Sequence, residues 1–155
     1  MTLGLAACAG MAASLLLIVA GASASSGPDR RLGERIYREG LNARGEPVRA
    51  LVGLPPAPLN GAPAACEACH ALRAGAAVLD DAAPDLRWAV LLRAAELKGS
   101  GKPYTEPSFA RAVTEGTSPS GEQISSAMPR YALSRSEIAA LVAFLKALPA
   151  ERTPR

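Results

Sequence analysis

The sequence predicts a single all-α domain behind an apolar leader. Three observations carry that prediction. Four stretches combine helical hydrophobic spacing with recognisable start and stop residues, and no two strand-like runs offer each other a partner. The aromatic complement is thin, at 4% of 155 residues, so a small helical domain here gains from a bulky group at its centre. The charges are also segregated: all 17 basic and 14 acidic side chains lie beyond residue 28. Composition excludes collagen, coiled-coil arrays and a polytopic membrane protein. A net charge of +3, scattered along the chain, gives no nucleic-acid footprint.

Residues 1–24 read as a signal peptide. Ser14-Leu15-Leu16-Leu17-Ile18-Val19-Ala20 has the length of a secretory apolar core, and Gly21-Ala22-Ser23-Ala24 places small residues where a signal peptidase reads them. No Lys or Arg precedes the apolar run, which leaves an uncleaved membrane anchor as the alternative. Leu5-Ala6-Ala7-Cys8 resembles a lipobox but stands ahead of the apolar run, the wrong order for lipidation. Each of these readings delivers residues 25–155 outside the cytoplasm, to the periplasm, and the membrane is a partner only if the leader stays uncut.

The elements of the domain follow in order. The first helix runs from about Pro28 to Glu39, with Leu32, Ile36 and Tyr37 on one side and Gly40 closing it. A Pro-rich insertion at about 41–65 comes next, with prolines at 47, 55, 56, 58 and 63. It reads as a stiffened loop, in which Val48 to Leu54 can form a short extended piece; a lid or a docking surface is the sharper alternative. Asp85 can cap a second helix over Leu86–Lys98, stopped by Gly99. Thr105-Glu106-Pro107 opens a third that ends at Gly116, with Pro tolerated in the first turn. Ser134-Arg135-Ser136-Glu137 is a capping box, and Ile138, Leu141, Val142, Leu145 and Leu148 then keep helical period.

The chemistry concentrates in Cys66-Glu67-Ala68-Cys69-His70, which holds the only histidine of the chain. Cys-x-x-Cys-His is the attachment motif for c-type haem. Two thiols three residues apart reach the two vinyl groups on one edge of the macrocycle, and the adjacent imidazole then lies beneath the iron. A zinc site needs about four ligands where this domain offers three. A thioredoxin-like pair wants a βαβ setting. A plain disulfide is the remaining alternative for an exported protein. One covalent haem c, with its iron, is the expected cofactor.

With no second histidine, Met128 is the only methionine of the domain that could complete the iron's coordination. It stands 58 residues after His70, in Ala127-Met128-Pro129-Arg130-Tyr131, a segment its proline keeps out of helix. The alternative is a methionine that only fills core space. A thioether ligand favours Fe(II) and closes the iron to small molecules, which points to electron transfer rather than catalysis at the metal.

On these residues the sequence resembles the monohaem class I c-type cytochromes, exported bacterial type, over nearly all of residues 28–149. Gly33 and Tyr37 look like the Gly/aromatic pair that crosses the terminal helix, with Leu141 and Phe144 as counterparts. Ala83-Pro84-Asp85-Leu86 resembles the family's proline segment, which implies that the Pro84 carbonyl accepts the Nδ1–H of His70. Met128 to Ser134, leading into Ile138 to Leu145, is similar to the family's Met-loop and C-terminal helix. The resemblance implies the cytochrome c fold, about four helices around one haem, with Cys66 and Cys69 attached covalently and His70 and Met128 as metal ligands. It departs at Gly33 to Cys66, where the family has far fewer residues. Trp88 and Arg130 carry donors suited to the haem propionates; their ordinary readings are a core residue and a solvated charge.

The function expected is a periplasmic one-electron carrier cycling Fe(II) and Fe(III), not an enzyme, with redox proteins as donor and acceptor. The mild excess of basic residues suggests an acidic docking patch on those partners. One alternative is a dedicated cytochrome subunit of a periplasmic dehydrogenase or oxidase, with the Pro-rich insertion as its contact surface. A more distant one is a ligand-binding haem sensor or peroxidase-like enzyme in which Met128 does not hold the iron.

Overall fold

A computed structural model of the chain describes residues 28–70, 83–93 and 101–150. The segment expected to be a signal peptide, residues 1–24, therefore lies outside the described residues. No helix among the described residues is long and apolar enough to cross a membrane.

Helix α1 spans Arg30–Glu39. It starts two residues later than its sequence suggests because Asp29 turns its carboxylate back onto the Arg31 N–H, 2.9 Å away, and so takes the cap position. Gly40 ends it in the left-handed region, at φ 66°, and returns its N–H to the Ile36 carbonyl. The face it buries is Gly33, Ile36 and Tyr37.

That face lies against the last helix, α4 (Arg135–Ala147), capped by Ser134 with Glu137 in the reciprocal box that the sequence carries. Gly33 is where the two backbones touch: a Cβ there would stand 2.0 Å from the Ala140 carbonyl oxygen. No larger residue fits that contact. The Tyr37 and Phe144 rings meet beside it, centroids 5.3 Å apart and tilted by 46°. Ile36, Tyr37, Leu141 and Leu145 are at most 1% exposed and form the centre of the core. Burying each such side chain contributes about 1.5–3 kcal/mol relative to leaving it in water.

Two further helices complete the helical part. Helix α2 covers Trp88–Leu92, beginning two residues beyond the predicted start. Asp85 does not cap it; its carboxylate instead accepts from the backbone and the guanidinium of Arg87. The remainder of the expected Leu86–Lys98 helix beyond Arg93 lies outside the described residues. Helix α3 spans Glu106–Glu115, capped by Thr105 and closed by Gly116 at φ 71°.

The expectation of an all-α domain is overturned. Alongside four α-helices the described residues hold a three-stranded antiparallel sheet, so the domain is a mixed arrangement of helices and sheet. Strands β1 (Arg49–Val52) and β2 (Ala57–Asn60) form a hairpin inside the Pro-rich insertion, and β3 (Arg130–Tyr131) pairs with the other edge of β1. The register sets Arg49 opposite Asn60 and Val52 opposite Ala57 on one side, and Ala50 opposite Tyr131 on the other.

The physical reason for the miss is local brevity. Strands of four, four and two residues are too short for an alternation to stand out, and the second partner of β1, β3, lies some eighty positions along the chain. The prolines misled in the same direction. Pro58 sits in β2, an outer strand, where a missing N–H costs no ladder bond on the solvent side. Leu51 and Leu54 of the hairpin are 50% and 87% exposed.

Candidate functional site

The residues singled out by the sequence lie where the hairpin, α1 and the segment around Pro84 come together. After β2 the chain makes two short 3₁₀ turns, Ala62–Ala64 and Cys66–Ala68. The His70 N–H bonds the Cys66 carbonyl at 2.8 Å, so both cysteines and the histidine belong to one turn of chain. Cys66 is buried and Cys69 exposed, and both thiols are free. The disulfide alternative is therefore not formed. Burial pushes the Cys66 thiol up to about 12, with Cys69 adding to the shift and the residue's own backbone opposing it.

His70 is held at both its backbone and its ring. The Tyr37 hydroxyl, on α1, donates to the His70 carbonyl oxygen. The ring Nδ1 lies 2.7 Å from the Pro84 carbonyl oxygen. A carbonyl only accepts, so Nδ1 carries the proton and Nε2 is left as the nitrogen with a lone pair. Burial lowers the pKa of the imidazole, against opposing contributions from the Pro84 carbonyl and the Asp85 carboxylate. The ring is therefore neutral at pH 7, the form in which it can bind a metal.

The Pro84 segment is itself fixed. Asp85 accepts from the Arg87 N–H at 2.9 Å and from the Arg87 guanidinium Nε at 2.8 Å, and both side chains are largely buried. Such a pair resists movement, because separating it would leave a charge uncompensated in the interior. The carbonyl that orients His70 is in this way anchored from the following residues.

Met128 approaches from the other side of the sequence. It is half-buried and packs on the same core cluster that includes Cys66, Trp88 and Tyr131. Its N–H bonds the Ser125 carbonyl at 3.1 Å, which makes a turn of residues 125–128. Three positions on, the Tyr131 phenol is buried, and burial together with the nearby Cys66 and Cys69 thiols disfavours its ionisation. Tyr131 and Cys66 share the buried core cluster against which Met128 packs.

Trp88 and Arg130, read from the sequence as donors suited to haem propionates, each have partners within the protein. The indole of Trp88 meets Phe109 edge-on, centroids 5.9 Å apart, and the Lys146 ammonium lies 5.2 Å from its ring centre. The guanidinium of Arg130 donates to the carbonyls of Met128 and Ile124. Sequence reasoning missed this use of Arg130. It also missed the Tyr37 hydroxyl, since the aromatic spacing on α1 signals packing and says nothing of the polar end. Gly116 was legible as a helix stop, but not as the surface against which Arg130 lies.

No family model, curated protein or solved structure matches the chain in comparisons with known proteins.

Among the described residues no three His, Cys, Asp or Glu side chains gather to hold a metal by themselves. Cys66, Cys69 and His70 are thus spread along one turn rather than convergent. Two thiols and an imidazole in a Cys-x-x-Cys-His turn are the donor types that covalent haem attachment would use.

Proposed function

We propose that the chain is an exported one-electron carrier that holds a single haem c. Cys66 and Cys69 would hold it through thioether bonds, and His70 and Met128 would ligate its iron. The observation that carries the reading is the His70 ring, neutral, in a Cys-x-x-Cys-His turn, with Nδ1 bonded to the Pro84 carbonyl and Nε2 left for iron. Outer partners of this kind fix the orientation of a ligand imidazole and raise its basicity.

The haem supplies a reversible Fe(II)/Fe(III) couple. The residues of the chain hold its ligands still. Tyr37 and Pro84 grip the histidine at its carbonyl and its ring, so His70 need not move when the charge on the metal changes. A packed interior around Cys66, Trp88 and Tyr131 limits water near the site and with it the reorganisation that accompanies electron transfer. Met128, as a ligand to that iron, would favour the reduced state and leave no open position for small molecules.

The test is an optical spectrum of the protein matured with haem, oxidised and then reduced. Met128 on Fe(III) is expected to give the weak far-red charge-transfer band of a sulfur ligand. That band disappears in Met128→Ala, which then binds carbon monoxide readily in the reduced state. Attached haem with no such band and ready carbon monoxide binding in the unaltered protein would instead favour the sensor or peroxidase-like reading.

A further inference from the structure

We propose that Arg130 is the positioning residue for the Met128 ligand, clamping the turn that presents it; the inference rests on the His70/Met128 reading above. The guanidinium reaches three carbonyls of one loop: Nη1 donates to Met128 at 2.5 Å, and Nη2 donates to Ile124 at 2.7 Å and to Ser125 at 3.4 Å. A planar fork with fixed donors can span such a set, whereas a lysine ammonium on a flexible stem cannot hold the same geometry.

Gly116 makes room for the clamp. A Cβ there would stand 1.8 Å from Nε and 2.0 Å from Cζ of Arg130, so any side chain at 116 would displace the guanidinium. The same glycine accepts the Ile124 N–H at 2.8 Å, tying the start of the loop to the end of α3. On the other side the hairpin grips it: the Gly53 N–H bonds the Ser126 carbonyl at 2.8 Å, and Leu51 pairs with Arg130 itself. The Pro-rich insertion thereby acts as a buttress for the Met128 loop rather than as a free flap.

A neutral thioether is a weak ligand, so its residence on iron depends on how little freedom its loop has when unbound. Fixing the loop beforehand reduces what ligation must order, and that is preorganisation. The clamp should therefore be read out as occupancy of the sixth position.

The experiment uses the haem-loaded protein and its variants Arg130→Gln, Arg130→Lys, Gly116→Ala and the Arg130→Gln/Gly116→Ala double variant. Two readouts are followed: the far-red band of the oxidised state, and the rate at which imidazole displaces Met128 from Fe(III). Arg130→Gln is expected to weaken the band and speed imidazole binding about tenfold, as loss of a charge-assisted hydrogen bond would. Gly116→Ala should do the same with Arg130 still present, and the double variant should add nothing further. A full band and an unchanged imidazole rate in Arg130→Gln overturn the proposal while leaving Met128 ligation intact. If Arg130→Gln does not accumulate with haem, Arg130→Lys decides, since it keeps the charge without the fork: a rate equal to that of the unaltered protein overturns the clamp. Absence of the band in the unaltered protein overturns the Met128 reading itself, and the clamp with it.

Discussion

Tyr37 shows how much one side chain can join. Its ring stacks obliquely on Phe144 at the crossing of α1 and α4, while its hydroxyl bonds the His70 carbonyl across 33 positions of sequence. It is fully buried, so the hydroxyl has no water to turn to. Tyr37→Phe keeps the ring and removes the donor, leaving the His70 carbonyl without that partner. An unmade hydrogen bond of this kind costs about 1–3 kcal/mol. Chemical denaturation of the haem-loaded protein should show a loss of that size, with the visible spectrum little changed. A loss no larger than a few tenths of that would mean the carbonyl finds another donor.

At the scale of elements, the capping box of α4 reaches further than its own helix. Glu137 accepts from the Ser134 N–H at 2.8 Å and from the Ala43 N–H at 3.1 Å, and so ties the start of α4 to the loop before β1. Burial opposes ionisation of Glu137, but the Ser134 backbone and hydroxyl, and then the Ala43 N–H, outweigh it and hold the carboxyl below the usual range. A depressed folded-state pKa gives stability that is present above the unfolded value and lost as pH falls through the folded one. Glu137→Ala should therefore cost about 1 kcal/mol at neutral pH. The gap from the unaltered protein should narrow below about pH 4, where the carboxyl of the unfolded chain is protonated. Melting temperatures of both proteins across that range check the sign; a gap that widens in acid would remove the account.

The molecule as a whole carries a net charge of +3, with every charged side chain beyond residue 28. Long-range attraction of a modestly basic carrier to an acidic partner speeds encounter and is screened by salt, over a Debye length of about 8 Å at physiological ionic strength. Electron exchange with an acidic redox protein should slow as ionic strength rises, measured by stopped-flow at fixed pH. A flat salt dependence would leave the charge without a role in docking. The hairpin contributes a different surface, with Leu51 and Leu54 exposed beside the loop that presents Met128.

Much of the site was legible because its chemistry is written in contiguous residues. Cys66, Cys69 and His70 fall on one turn, and Ser134 with Glu137 announces α4 within four positions. Gly33, Tyr37 and Phe144 stood out by identity, and the helix crossing they make follows from size alone. The sheet did not stand out, because its longest strand has four residues and its pairing joins Ala50 to Tyr131. Arg130 is the clearest case. Its sequence neighbours gave it the look of a surface charge or a propionate partner, and only the fold brings it across Gly116 to three carbonyls. The sequence by itself determined the helices with strong end signals and the adjacency of Cys66, Cys69 and His70 on one turn, since both depend on near neighbours along the chain. The tertiary structure alone decided the mixed class of the fold, the bond from the Tyr37 hydroxyl to the His70 carbonyl, and the bracing of the Met128 loop. Those depend on backbone groups, which every residue carries alike and which acquire partners only when distant segments meet.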